Sequence, residues 1–145
     1  MIKPLFLLAA LSLSISAFAA DLNQARMLVD KKHYAEAIAV YEVLLTEQTG
    51  QADLLIEAAR VNAWADRHPA AAELYQQAIA AAPQRRYDVL LPLAWQLAWG
   101  GRYGEAIPLF REVAQQVPAQ KTEALHGLAE SLAASKQLLP ALDVY

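Results

Sequence analysis

The sequence predicts an all-α fold, built as an array of antiparallel helix pairs that repeats along the chain. A bulky residue follows each of four polar links. These bulky residues are Tyr34, His68, Tyr103 and Leu138, which are 34 or 35 residues apart. An alanine lies three residues after each of them, at positions 37, 71, 106 and 141. Leu, Ala, Glu and Gln dominate the composition, which favours helices. A period in this range is typical of stacked supersecondary units.

Composition excludes several classes of protein. The 145 residues leave room for one domain. The net charge is −3 and the charges are interspersed, whereas a nucleic-acid-binding surface needs a basic face or stripe. The chain has no cysteine, which excludes disulfides, thiolate metal ligands and cysteine nucleophiles.

The N-terminus has the pattern of a secretory signal peptide. A positive start at Lys3 precedes an uncharged apolar run, and Ala17-Phe18-Ala19 matches a small-x-small cleavage site. The apolar run is about 16 residues, short of the roughly 20 that span a membrane. We predict that residues 1–19 are cleaved, that the mature chain has no transmembrane segment, and that it is periplasmic or secreted. An uncleaved membrane anchor is the alternative.

The remaining residues, 20–145, form the predicted array. Its units are about 20–50, 51–85, 86–120 and 121–145, the last incomplete. In the first unit the second helix runs from about Tyr34 to Glu47. Its apolar positions form one stripe at helical spacing, consisting of Ala37, Ile38, Tyr41, Leu44 and Leu45.

The second unit repeats this design. A helix over about Ala52–Ala65 buries one stripe, consisting of Leu55, Ala58, Ala59 and Asn62. Pro69 opens the partner helix at a first-turn position, where proline loses no needed hydrogen bond. Pro83 ends that helix.

The third unit contains two prolines that disturb the pattern. Its first helix is predicted to start near Asp88 as N-cap, and its second to span Tyr103–Val117 before Pro118. Pro92 and Pro108 then fall about one turn into these helices. Because an interior proline forfeits a hydrogen bond at a cost of about 3 kcal/mol, either the helices start late or they kink.

The fourth unit breaks off within its second helix. Its first helix has an inner stripe consisting of Leu125, Leu128, Ala129 and Leu132. The partner helix would expose an apolar face, formed by Leu138, Leu142 and Tyr145. We therefore expect either a longer protein or a C-terminal edge that docks on a partner protein.

This pattern resembles the tetratricopeptide repeat (TPR) family. The matching positions are Ala59, Ala71, Tyr75, Ala78 and Pro83 in the second unit, and Ala94, Gly101, Tyr103, Ala106, Phe110 and Pro118 in the third. Alanine at helix contacts permits the close approach of 8–10 Å between axes. The usual tryptophan of the first helix is replaced by leucine, at positions 55, 90 and 125. The resemblance implies a right-handed solenoid of about three and a half repeats.

No catalytic, metal-binding or cofactor-binding pattern is present in the sequence. The three histidines, His33, His68 and His126, lack HExxH or HxH spacing. We interpret His33 and His68 as link residues that are solvated or pack against the turn. The glycines at 100, 101 and 104 lie in a helix–helix turn rather than after a strand. The sequence therefore predicts a protein that is not an enzyme and has no cofactor.

The three tryptophans share one face of the predicted array. The first helix of each pair lines the concave surface of such arrays. Its outward stripe includes Ile56 and Leu91 together with the predicted binding residues. These candidates are Arg26, Arg60, Trp64, Trp95, Trp99, His126 and Glu130.

Two interpretations of this face stay open. An aromatic and partly cationic groove, with Arg26 and Arg60, would suit a peptide segment or sugar rings that stack on indole. Alternatively, a tryptophan just before the turn packs against the next repeat, which would explain Trp64 and Trp99 at their equivalent positions. Trp95 has no such counterpart and is the better ligand candidate.

These features together predict a scaffold for protein–protein interaction. Partners would bind the concave groove or the C-terminal edge, and no nucleic acid is expected. The links Ala63–Arg67 and Ala98–Arg102, with the predicted signal peptide, also resemble the periplasmic repeats of outer-membrane exopolysaccharide export porins. That looser resemblance implies an export assembly with polysaccharide-modifying or synthase partners. A glycan-binding module that uses the tryptophan groove is the alternative.

Overall fold

A computed structural model describes residues 21–135 of the chain. The predicted signal peptide, and the apolar face predicted over residues 138–145, lie outside the described residues. By contacts the chain divides into two compact units, one up to Thr49 and one from Gly50 onward.

The described residues form seven α-helices and no strand. They are α1, helical over residues 21–30, α2 (Tyr34–Glu47), α3 (Ala52–Trp64), α4 (His68–Ala81), α5 (Arg86–Trp99), α6 (Tyr103–Gln116) and α7 (Lys121–Ala134). Short 3-10 helices, Pro83–Arg85 and Pro118–Gln120, precede α5 and α7. None of the helices over residues 21–135 combines the length and apolar character needed to cross a membrane.

The first unit contains α1 and α2. Ala25 of α1 is fully buried, and α2 buries four of the five residues of its predicted stripe, namely Ala37, Ile38, Tyr41 and Leu44. The predicted bounds of α2 are confirmed. Burial of an alanine and a tyrosine one turn apart is what the helix-pair pattern requires.

The second unit packs α3 to α7 so that each helix contacts the next along the chain. The alanines at the predicted contacts, positions 59, 71, 94 and 106, are fully buried. Tyr75 and Phe110 are buried one turn after Ala71 and Ala106. This confirms the predicted register, because small residues let the helices approach and the aromatic rings fill the space beside them.

The links between paired helices share one backbone motif. The amide of His33 donates to the carbonyl of Leu28 (2.8 Å), and the amide of Arg102 donates to that of Leu97 (2.8 Å). In the link between α3 and α4, the amide of Arg67 donates to the carbonyl of Asn62 (2.9 Å). Such a bond across five residues is the mark of a Schellman cap, which needs a left-handed residue just before the donor. That residue is Lys32, Asp66 or Gly101, with φ of 61°, 57° and 77°.

The predicted third repeat, residues 86–120, differs from the prediction at its first helix. α5 begins at Arg86, so Asp88 lies in its first turn and is not the N-cap. Pro92 and Pro108 both lie inside helices, which excludes the first of the two predicted alternatives, a late helix start. The early start of α5 follows from the 3-10 turn Pro83–Arg85, which leads directly into this helix without a loop.

Candidate aromatic binding face

The centre of the candidate site is a pair of tryptophans one turn apart on α5. The rings of Trp95 and Trp99 stack with centroids 5.1 Å apart and planes 25° from parallel. Stacking of this kind stabilises both rings by about 0.5–1.5 kcal/mol beyond the area they bury. The pair therefore behaves as one rigid aromatic surface on a helix.

Trp95 is fixed by contacts with two further helices. Its ring meets Phe110 of α6 edge to face, with centroids 5.0 Å apart. Its indole Nε1 donates to Oε1 of Glu123 on α7 at 3.2 Å. These contacts leave the side chain partly buried and its polar group satisfied.

Trp99 lies at the surface, next to His68. Its side chain is 57% exposed, and the centroid of the His68 ring is 5.6 Å away. His68 Nδ1 is 2.9 Å from Oε1 of Gln96, which is buried. The sequence predicted that His68 is solvated or packs against the turn, and in the structure it contacts Gln96 and Trp99 of α5. The polar Gln96 inside the apolar run of α5 was the signal for this contact.

His126 and Glu130 complete the group on α7. The His126 ring lies 6.1 Å from that of Trp95, and its Nε2 is 3.1 Å from a Glu130 carboxylate oxygen. We call the set of His68, Trp95, Trp99, Glu123, His126 and Glu130 the aromatic face. Sequence reasoning had not included Glu123 or His68 in it.

Three further predicted binding residues lie on α1 and α3. Trp64, the last residue of α3, is 54% exposed. Arg60 of α3 is exposed. Burial raises the pKa of Tyr75, an effect that the charge of Arg60 partly offsets. Arg26 is an exposed residue of α1 in the first unit. Ile56 and Leu91, expected on the outward stripe, are buried.

The three tryptophans differ in exposure. Trp64 and Trp99, which the packing interpretation places against the next repeat, are 54% and 57% exposed. Trp95, the better ligand candidate from the sequence, is partly buried against Phe110.

A concavity with a volume of about 420 Å³ lies among α4, α5 and α6. It is lined mainly by apolar side chains, including Leu90, Leu93, Leu97 and Leu109, with Arg86 and Glu105 also contributing. Over residues 21–135, no group of three or more histidine and acidic side chains is arranged to hold a metal ion.

Comparison with known proteins gives matches among solved structures. A Podosopora anserina protein assigned as a kinesin light chain, with nearly identical TPR-like repeats, superposes with a TM-score of 0.69 at 19% identity. The match covers 88% of this chain and 71% of that chain. A single-substitution variant of that protein gives the same score and identity over 88% of this chain and 70% of the variant.

No family model matches the sequence, and no curated protein matches it. At 19% identity the structural likeness shows the fold. The chain therefore has the fold of TPR-like repeat proteins, which confirms the array of helix pairs predicted from the period of 34 or 35 residues.

Proposed function

We propose that the protein is a scaffold that binds a segment of a partner protein on the aromatic face. The observation that carries this proposal is the stacked pair of Trp95 and Trp99, with Trp99 57% exposed. Tryptophan is enriched among the residues that dominate binding energy at interfaces, and a rigid support favours that role. The contacts of Trp95 with α6 and α7 supply that support.

A photo-crosslinking residue at position 99 tests this function in the native host. Position 43 of α2 is the matched control, because Val43 is 53% exposed and belongs to the other unit. We expect a discrete crosslinked partner from position 99 and none from position 43. With the purified partner, Trp99→Ala should weaken binding about thirtyfold, as for a hot-spot residue. Equal crosslinking from both positions, or unchanged affinity, would contradict the proposal.

The location of the protein is a further part of the proposal. The basic start, apolar run and small-x-small site support export to the periplasm or beyond. The repeated links Ala63–Arg67 and Ala98–Arg102 support a place in an envelope or exopolysaccharide export assembly at the outer membrane. N-terminal sequencing of the protein from the periplasmic fraction should read from Ala20. A chain that starts at Met1 in the cytosol would contradict this part.

Direct glycan binding is the second candidate function. The exposed indole of Trp99 favours it, since sugar rings stack on such surfaces. Titration with oligosaccharides should then shift the tryptophan fluorescence, and Trp99→Ala should abolish the shift while Trp64→Ala preserves it. Absence of a shift with any sugar would leave the protein-binding function alone.

A further inference from the structure

The aromatic face is acidic, although the sequence suggested a partly cationic groove. Glu123 and Glu130 belong to the face itself. Arg86 of α5 and Arg102 of the link after it are each engaged by another carboxylate, because Arg86 binds Glu112 and Arg102 binds Glu105. Charge complementarity across an interface therefore favours a cationic ligand and disfavours an acidic one.

Glu123 is the clearest part of this signal. Its carboxylate accepts the indole N–H of Trp95 at 3.2 Å, and within residues 21–135 it forms no ion pair. A carboxylate can accept several hydrogen bonds, so most of this capacity is left for another donor. The negative charge of Glu123 thus lies beside the indole ring of Trp95, which stacks on Trp99.

We propose that this face binds an arginine side chain of the partner segment. This inference depends on the proposed function and names the chemistry of its ligand. A guanidinium plane stacks on indole, and its N–H groups match a carboxylate in pairs. The stacked pair of Trp95 and Trp99 supplies the indole surface, and Glu123, which is bonded to Trp95, supplies the carboxylate. Glu130 adds negative charge on the same helix.

Glu123 also lies in the first turn of α7, where the helix dipole favours an acidic residue. A test must separate this structural role from ligand binding. Glu123→Gln suits this purpose, because the amide oxygen still accepts the Trp95 N–H while the charge is lost. Glu73→Gln, at an exposed position of α4, is the matched control for loss of one negative charge.

The test uses NMR of the full chain, following the three indole N–H signals. The probes are N-acetyl-arginine methylamide and N-acetyl-citrulline methylamide, which have nearly the same shape but differ in charge. We expect the arginine probe to move the Trp95 and Trp99 signals saturably and to leave Trp64 unmoved. The citrulline probe should bind the wild type about fivefold more weakly, as should the arginine probe with Glu123→Gln, whereas Glu73→Gln should bind as wild type.

Each contrary result has a distinct meaning. Equal affinity for the two probes, or full affinity in Glu123→Gln, overturns the assignment of arginine. Absence of a saturable shift with the arginine probe overturns it as well. If a partner still crosslinks from position 99 in that case, the scaffold function stands and only its ligand chemistry is wrong. If nothing crosslinks, the scaffold function fails too.

Discussion

Individual link residues adopt a backbone conformation that the amino-acid type does not always favour. The left-handed position of the Schellman caps is occupied by Lys32, Asp66 and Gly101. Only glycine adopts this conformation without a steric cost, which for other residues is about 1–2 kcal/mol. The first two links therefore store strain that the third avoids.

Lys32→Gly should stabilise the protein by about 1 kcal/mol, because it relieves the left-handed strain at φ 61°. Chemical denaturation measures the free energy of unfolding. Gly101→Ala is the matched reverse change at the same position of another link, and should destabilise by a similar amount. Stabilisation by both changes, or by neither, would show that the left-handed residue does not control the links.

Gly127 of α7 makes room for Phe110. A Cβ on Gly127 would lie 2.3 Å from the Phe110 ring, which is fully buried. Gly127→Ala should therefore destabilise by about 1–3 kcal/mol, despite alanine's higher helix propensity. Gly104→Ala on α6, where a Cβ meets nothing within 4 Å, should be neutral or stabilising. Thermal melts of the two variants test this, and similar melting temperatures would contradict the predicted clash.

Among the helices, α5 and α6 each tolerate an interior proline. Pro108 is the sixth residue of α6 and is exposed, so it contributes little burial to offset its missing hydrogen bond. Pro108→Ala lets an amide donate to the Gly104 carbonyl and should stabilise by about 1–3 kcal/mol. Denaturant unfolding at equilibrium measures the change. A decrease in stability would mean that packing of the proline ring in the concavity among α4, α5 and α6 outweighs the cost of the missing backbone hydrogen bond.

The ion pair between α5 and α6 makes their packing depend on pH. Arg86 donates to both oxygens of Glu112, at 2.9 and 2.7 Å. These hydrogen bonds lower the pKa of Glu112 below its ordinary value of 4.5. The stabilisation is therefore complete above that value and is lost as the pH falls through the lowered pKa.

Glu112→Gln should cost about 1 kcal/mol at neutral pH, since both side chains are about one-third exposed. The difference between variant and wild type should shrink as the pH falls below 4.5. Melting curves recorded from neutral pH down to about 3, where carboxylates titrate, measure this change. The double change Arg86→Met with Glu112→Gln removes both partners, and its stability should vary less with pH. A stability difference between Glu112→Gln and wild type that stays constant over this pH range would contradict the coupling between the ion pair and pH.

The second unit as a whole depends on contacts between successive helices. α5 is central to it, with eight buried residues among its 14 and neighbours on both sides in sequence. In repeat arrays the stability of a helix depends on its own contacts and those with its neighbours. We expect the amides of α5 to exchange with solvent more slowly than those of α3. Native-state hydrogen exchange measures this order, and faster exchange in α5 would contradict it.

The repeat pattern sufficed to predict the helix pairs, their register and the bounds of α2. This worked because each copy meets the same local demands, a small residue at the contact and an aromatic one turn later, as at Ala106 and Phe110. The start of α5 was missed because the 3-10 turn after Pro83 has no distinct signal in the sequence.

The composition of the aromatic face followed from packing. The contacts of Trp95 with Glu123 and of His68 with Gln96 each join residues 28 positions apart. Periodicity places such residues on helices, but whether two side chains meet depends on how the helices cross and which rotamers the core permits. Thus the spacing along the chain predicted that tryptophans share a face. The three-dimensional packing determined that Trp95 supports this face, that Trp99 is exposed on it, and that its charge is negative.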